Sequence, residues 1–461
     1  MQKNISKTPT QMNYHILNLI EQMVSVAPKG TDLGLCDTMS AMLSGFFIEG
    51  GGAVTPSVDA FIGRSIEDKV EHAARTRRAA KAVSHGSFNI NDMIEQLHQI
   101  VEKEGKWQPK RVEGYKIESV DFTGFQRPAV KKLKSKAYVS KMNRAVPAIP
   151  IGIIANIGEV EGQRIGLPTD LVISAIDTND FKSHMKHLYQ HVQARTEEDS
   201  VVVFDAGFNL AVAVANGINQ CVIRLASNCT FGKTPGVVPK RTSARGRTPT
   251  VPKAEIVRPM KRKHKDKELP ATKADRVFDV ENENGKTLTV HVWESVYFLE
   301  RQLKDVESET LKEEMRHLPL RVVAVYDPDF ETPWLLGTPM PSLEPISLHE
   351  IYLSRWPVEG IPQAGKYILS GGGGRHFVHR PLAMQRLPSL SLIFGALIKY
   401  VAATLPPIRS GFWDRGTKPT YGRLMKQLKK VGIPLSDQLS KKRSKTSHLP
   451  VGYEAIRLST T

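Results

Sequence analysis

Tyr352, Arg355, Glu359 and Lys366 stand at offsets of 3, 7 and 14 residues, a Y-x2-R-x3-E-x6-K spacing that joins one carboxylate, two cations and one phenol. At about 100° per residue these offsets bring all four side chains within about 60° of one another on one helical face. A carboxylate on such a face can ligate a hard metal ion. Beside it a guanidinium can grip a phosphate bidentately, and an ammonium can act as a point charge. Pro357 and Pro362 lie inside the block, with Gly360 and Gly365. Proline removes an i−4 hydrogen bond and kinks a helix, so the face is less regular beyond residue 356.

One carboxylate does not make a metal site, and two aspartates are placed to join it. Asp205 ends the apolar run Val201-Val-Val-Phe204, where a parallel strand delivers a ligand to the C-terminal edge of a sheet. The competing role for Asp205 is to cap the helix that follows. Asp121 closes an alternating stretch that begins at Tyr115 and leaves room for two further strands before Asp205. Asp177, separated from Asp205 by a single helix, is the alternative and reads as a surface turn. Upstream of the block, Trp334 heads the run Trp-Leu-Leu-Gly-Thr338; it can serve as a stacking platform for a base or pack between strands.

These residues need elements to carry them. Residues 1–110 read as helical, from the spacing of Tyr14, Ile16, Leu17, Ile20 and Met23 and again of Met93, Ile94, Leu97, Ile100 and Val101. Thr55-Pro56 reads as a helix start, and Arg75, Arg77, Arg78 and Lys81 give a basic helix that either contacts phosphates or is simply a solvated face. Strands are expected at 115–120, 136–142, 149–157, 201–204 and 221–226, with helices at 181–194 and 209–216. The order is strand, strand, strand, helix, strand, helix, strand over 115–226. Residues 227–342 read as a basic, β-rich insertion, with strands at 286–293, 320–326 and 334–336. Within it, Lys233 to Arg276 holds 14 Lys and Arg against 4 Asp and Glu and six prolines. Residues 343–405 bring the helix that carries Glu359, introduced by Ser347-Leu-His-Glu350 as a capping box, and then a packing helix over 387–403. Residues 406–461 form a basic tail.

The Y-R-E-K spacing resembles the signature of bacterial insertion-sequence transposases of the DDE type (the insertion-sequence-four-like group), in which the Glu is the last catalytic carboxylate. The resemblance runs from about residue 115 to 400 and is anchored by the Tyr352–Lys366 block, by Asp205 with its strand, and by the Trp334 strand. It implies an α/β, ribonuclease-H-like (retroviral integrase-like) core interrupted by a β-rich insertion and preceded by an N-terminal helical, DNA-binding domain. It further implies that Asp121, Asp205 and Glu359 hold two Mg2+ ions, which Mn2+ can replace. Such ions act about 3.5–4 Å apart on the attacking and leaving oxygens of a phosphodiester. Tyr352, Arg355, Lys366 and Trp334 would contact DNA, Trp334 by stacking on an unstacked base. The implied activity is cleavage and strand transfer at the terminal inverted repeats of double-stranded DNA, in a homodimer that synapses two ends. Two other readings stay open: a non-catalytic DNA-binding relative and a simple nuclease or junction resolvase.

Composition agrees with a polyanionic partner. The 461 residues hold 64 Lys and Arg against 47 Asp and Glu, a net charge of +17, and each phosphate neutralised by such a surface releases counterions. The three cysteines, Cys36, Cys221 and Cys229, have neither zinc spacing nor the parity of a disulfide framework. The start of the chain lacks a signal-like apolar run, and Lys399 interrupts the most apolar late stretch, so a cytoplasmic protein is expected. Gly371 to Gly374 lacks the Lys-Ser/Thr of a P-loop, and His376 and His379 stand beside no cysteine that would complete a zinc site.

Overall fold

Helices account for the first part of the chain. In this computed structural model, residues 9–127, 130, 133–139, 143–178, 180–236, 255–264, 267–282, 285–405 and 420–436 are described. The described chain opens with α1 (Pro9–Val24), α2 (Thr31–Leu43), α3 (Phe46–Glu49), α4 (Val54–Ile62), α5 (Lys69–His85) and α6 (Ile90–Glu104). In α6 every position of the expected stripe, Met93, Ile94, Leu97, Ile100 and Val101, is buried. The helix starts where the Asn89 side chain accepts from the Asn91 N–H and stops at left-handed Gly105. The expected start at Thr55-Pro56 is displaced: α4 begins at Val54, with Ala53 in the capping position. On α5 the expected phosphate-facing cations separate. Arg75 is buried and paired with Asp37 at 2.6 Å, whereas Arg77 and Lys81 are exposed.

The sheet follows. Its strands are β1 (Gln108–Pro109), β2 (Arg111–Val112), β3 (Tyr115–Gln126), β4 (Lys136–Val139), β5 (Arg144–Val160) and β6 (Gln163–Ile173). After α7 (Phe181–Arg195) come β7 (Ser200–Phe204), α8 (Leu210–Ala215) and β8 (Cys221–Arg224). Core neighbours run β6-β5-β3-β7-β8, with β5 antiparallel to both of its neighbours and β3, β7 and β8 parallel. The strand expected at 136–142 is therefore a short appendage of β5, and the third core strand is β6. Pro168 and Asp170 break the alternation of β6, and the β5–β6 register shifts at the same place. Asp170 is buried there and accepts from His191 and from Arg195 at 2.7 and 2.8 Å, so a charged residue sits inside a strand without breaking it.

The insertion contributes β9 (Phe231–Gly232), β10 (Ile256–Val257), β11 (Arg262–His264), β12 (Lys267–Leu269), β13 (Arg276–Glu281), β14 (Thr287–Val296), α9 (Glu309–Arg316), β15 (Leu320–Tyr326) and β16 (Trp334–Thr338). It is not a separate layer. β16 pairs antiparallel with β8, and β15, β14 and β13 follow, so one sheet runs from the core into the insertion. Residues 237–254 of the expected insertion lie outside the described residues, as do 406–419 and 437–461 of the expected tail.

Both faces of the central strands are covered. Along β7, Val201 and Val203 join the hydrophobic cluster that also holds the N-terminal helices, while Val202 and Phe204 join the cluster beneath α7 and α8. That is why the strand reads as an unbroken apolar run. The chain then adds α10 (Pro345–Leu353), a 3-10 turn at Trp356–Val358, α11 (Gly360–Ser370), α12 (Pro381–Thr404) and α13 (Tyr421–Val431). Among the described residues α12 alone is long and apolar enough to cross a membrane, and 89% of its apolar window is buried inside the protein.

Candidate active site

The parallel ladder between β3 and β7 ends with the pair Val120↔Phe204, and Phe204 pairs in turn with Ile223 of β8. The next residue on each strand is Asp121, Asp205 and Arg224. Three neighbouring parallel strands thus deliver two carboxylates and a guanidinium at one level. β3 does not stop at Asp121 as expected but runs on to Gln126 along β5; only its parallel pairing ends there. Asp177 lies in an exposed bend beyond β6, two strands away from β3.

Asp205 is not the cap of α8. Asn209 takes that role, accepting from the Ala211 N–H at 2.9 Å, which leaves the Asp205 carboxylate to accept from the Tyr352 hydroxyl at 2.8 Å. Burial alone would raise the Asp205 carboxyl. The Ala206 N–H, the Arg355 guanidinium, Tyr352 and Arg224 outweigh it and hold Asp205 below its usual value. Asp121 is pushed the other way, to about 6, chiefly by burial. The Phe122 N–H and Arg355 oppose that rise, and the like charges of Glu359 and Asp205 add to it.

The signature block is one path in three pieces. α10 ends at Leu353, the 3-10 turn carries Pro357, and α11 places Pro362 in its first turn, where a missing N–H leaves no helical bond unmade. Arg355 (φ −66°, ψ −32°) and Glu359 (φ −61°, ψ −27°) keep near-helical backbone, so i, i+4 adjacency survives the break. Arg355 Nη2 donates to Glu359 Oε1 at 2.6 Å and lies 4.0 Å from Asp205 Oδ1. The expected capping box does not form: α10 starts at Pro345, with Glu344 before it and no side-chain cap.

Arg355 is almost completely buried, and among the described residues its Nε and Nη1 have no partner. An unsatisfied buried donor costs about 1–3 kcal/mol, so two on one guanidinium point to a missing acceptor. Lys366 sits 5.6 Å above the Phe125 ring. Burial lowers its pKa, against the attraction of Asp121. Trp334 is buried: its ring lies 5.4 Å from that of Tyr352 and 4.9 Å from that of Phe330, and Arg224 stacks 4.5 Å above it. It therefore packs between the insertion and the signature helix. Arg224, whose charge helps hold the Asp205 carboxyl down, escaped the sequence reading. Its signal was its place at the end of Cys221-Val-Ile, beside a strand already chosen for its terminal aspartate.

The donors Asp121, Asp205 and Glu359 are all hard oxygens of the kind a divalent cation such as Mg2+ prefers. The chemistry fits Mg2+. The side chains as they stand are not gathered for it: Glu359 is held by Arg355, and among the described residues no group of three His, Cys, Asp or Glu is close enough to hold a metal. Two aspartates are in place, and the third ligand would have to turn away from its arginine. No protein-family model matches this chain, and no curated protein matches it in sequence.

Proposed function

We propose that this protein is a DNA transposase of the DDE type, built on a ribonuclease-H-like core, that cleaves and joins double-stranded DNA at the terminal repeats of an insertion sequence. The observation that carries the reading is that Asp121 and Asp205 stand on neighbouring strands one level past Val120↔Phe204, with Asp205 meeting Tyr352 and Arg355, and Arg355 paired with Glu359. The β6-β5-β3-β7-β8 order, with an antiparallel second strand and parallel third to fifth positions, supports the core assignment.

Asp121, Asp205 and Glu359 would hold two Mg2+ ions, or Mn2+ in their place. Such ions activate an oxygen nucleophile and stabilise the leaving oxygen of a phosphodiester. The chain's own residues do the rest. Arg355 offers its two unpartnered donors to a phosphate, Arg224 and Tyr352 fix Asp205, and Lys366 places a positive charge on the Asp121 side. A homodimer synapsing two DNA ends is part of the proposal, as is a cytoplasmic location.

The test uses purified full-length protein with Mg2+ and a duplex carrying the inverted repeats that flank its gene. The expected result is cleavage at the repeat boundary followed by joining to target DNA. Binding with no cleavage would reduce the protein to a DNA-binding relative, and cleavage without end preference or joining would make it a nuclease.

A further inference from the structure

The sheet order places Trp334 and Tyr352 on one flank of the two aspartates, towards β8 and β16. On the other flank, towards β5, a cavity of about 320 Å3 opens between β3, α11 and the start of α13. Thr123, Gln363, Lys366, Tyr367, Gly372 and Tyr421 line it. Thr123 is two residues beyond Asp121 on the same strand, so both project from one face of β3. Lys366 belongs at once to the cavity wall and to the signature block.

The wall has the chemistry of a base site. Tyr367 and Tyr421 form an edge-to-face pair, with ring centroids 5.8 Å apart and planes at 72°; each ring is partly exposed. Gln363 supplies an amide donor and acceptor, and Thr123 a hydroxyl, for the edge of a heterocycle. The volume lies at the small end of ligand pockets. Lys366 is the cation in the wall, no acidic residue lines the cavity, and α13 runs away from Tyr421 with Lys429 at its far end paired with Glu49, so the site suits a phosphodiester chain and not a cationic ligand.

We propose that this cavity receives an unstacked nucleobase of the DNA strand that leaves the aspartates on the side away from Trp334, with Tyr367 and Tyr421 as its stacking surface and Gln363 at its edge. The inference rests on the reading of the chain as a DNA-cutting enzyme. It adds an anchor that fixes the strand on the β3 side of the scissile phosphate, so that the phosphate is held from both flanks. It also assigns a task to α13, a helix outside the signature.

The experiment uses the full-length protein and a 20-nucleotide single strand carrying one 2-aminopurine, because an unpaired base costs least to extrude. Wild type should bind and quench the fluorophore. Tyr421→Ala should weaken binding by roughly 5- to 150-fold, the range carried by one base–aromatic stack, and lose much of the quenching. Tyr421→Phe, which keeps the ring, should behave as wild type. A second readout needs no variant: with 5-iodouracil in the same strand, irradiation of the wild-type complex should label Tyr367 or Tyr421. Wild-type binding with labels only at other residues, or Tyr421→Ala that melts and binds as wild type does, overturns the cavity assignment and leaves the proposed function standing. A wild-type protein that binds the repeat duplex but not this strand overturns the cavity assignment alone, and one that binds neither overturns both.

Discussion

Asp121 and Asp205 occupy equivalent places on neighbouring strands, yet their pKa values move in opposite directions: burial dominates at Asp121, whereas the Ala206 N–H, Arg355, the Tyr352 hydroxyl and Arg224 together outweigh it at Asp205. Glu359 is the member of the set held by Arg355. Glu359→Gln should keep DNA affinity within about twofold and lower cleavage by at least about 100-fold, since it removes a ligand charge without changing shape. Gel shift and cleavage on the same substrate check this, and near-normal cleavage would remove Glu359 from the site. Asp205 was legible because a carboxylate after four apolar residues has few places to go. The burial of Trp334 was not, because a tryptophan before Leu-Leu looks the same whether its ring faces a base or Tyr352. Glu118 was not legible either. It lies inside β3, nearly fully buried, and its Oε1 has no partner among the described residues. Burial first, and then the charge of Glu197, raise it from 4.5 to about 7. A raised folded pKa means that its favourable contribution is complete below pH 4.5 and is lost as pH rises through 7. Relative to Glu118→Gln, wild type should therefore lose stability between those limits, by on the order of 3 kcal/mol in all. Denaturant melts of both proteins at pH 4.5, 6 and 8 would show it, and a constant difference across that range would sink the idea.

The signature is readable as a spacing but not as an element, since three backbone pieces share the work of one helix. What makes them act as one is α12 behind α11. A Cβ on Gly365 would lie 2.9 Å from the Ser391 carbonyl oxygen, and one on Gly395 would lie 2.6 Å from the Gly365 nitrogen. The two helices touch backbone to backbone, which needs glycine on both sides. Gly395→Ala should cost about 1–3 kcal/mol as an overpacking change and push α11, with Glu359 at its head, away from the aspartates. The expected signature is a lower denaturant midpoint at unchanged m-value, with a fall in cleavage larger than the fall in DNA affinity. Unchanged stability would mean that the helices can separate freely. β6 shows the opposite limit of legibility. Its Pro168 and Asp170 hide the edge strand of the core from any search for alternation, and the partners His191 and Arg195, supplied by α7, explain how Asp170 is accommodated in its ladder with β5.

At the scale of the whole chain, the N-terminal helices were legible as helices but not as part of the core. A sequence pattern reports which face of a helix is apolar and not what covers it. Here one hydrophobic cluster runs from Met12 through α6, the β3–β6 strands and α12 to Leu435. Polar ties cross the same boundary: His98 Nε2 contacts the Pro168 carbonyl at 2.8 Å, Tyr400 donates to Glu104 at 2.7 Å, and Arg386 donates to the Gly86 carbonyl at 2.6 Å. Residues 1–105 are therefore expected to fail as a detachable module. Their removal would bare the apolar side of α12 and strip β6 of its cover. Each large side chain so exposed costs about 1.5–3 kcal/mol, and a domain has only about 5–15 kcal/mol in hand. A 106–461 fragment should aggregate or melt without cooperativity even though it keeps every residue of the candidate site. A soluble fragment that melts cooperatively within a few degrees of the full chain would show that the helices merely rest on the sheet. With a shared core, the N-terminal helices are tied through α12 to the helix that carries Glu359.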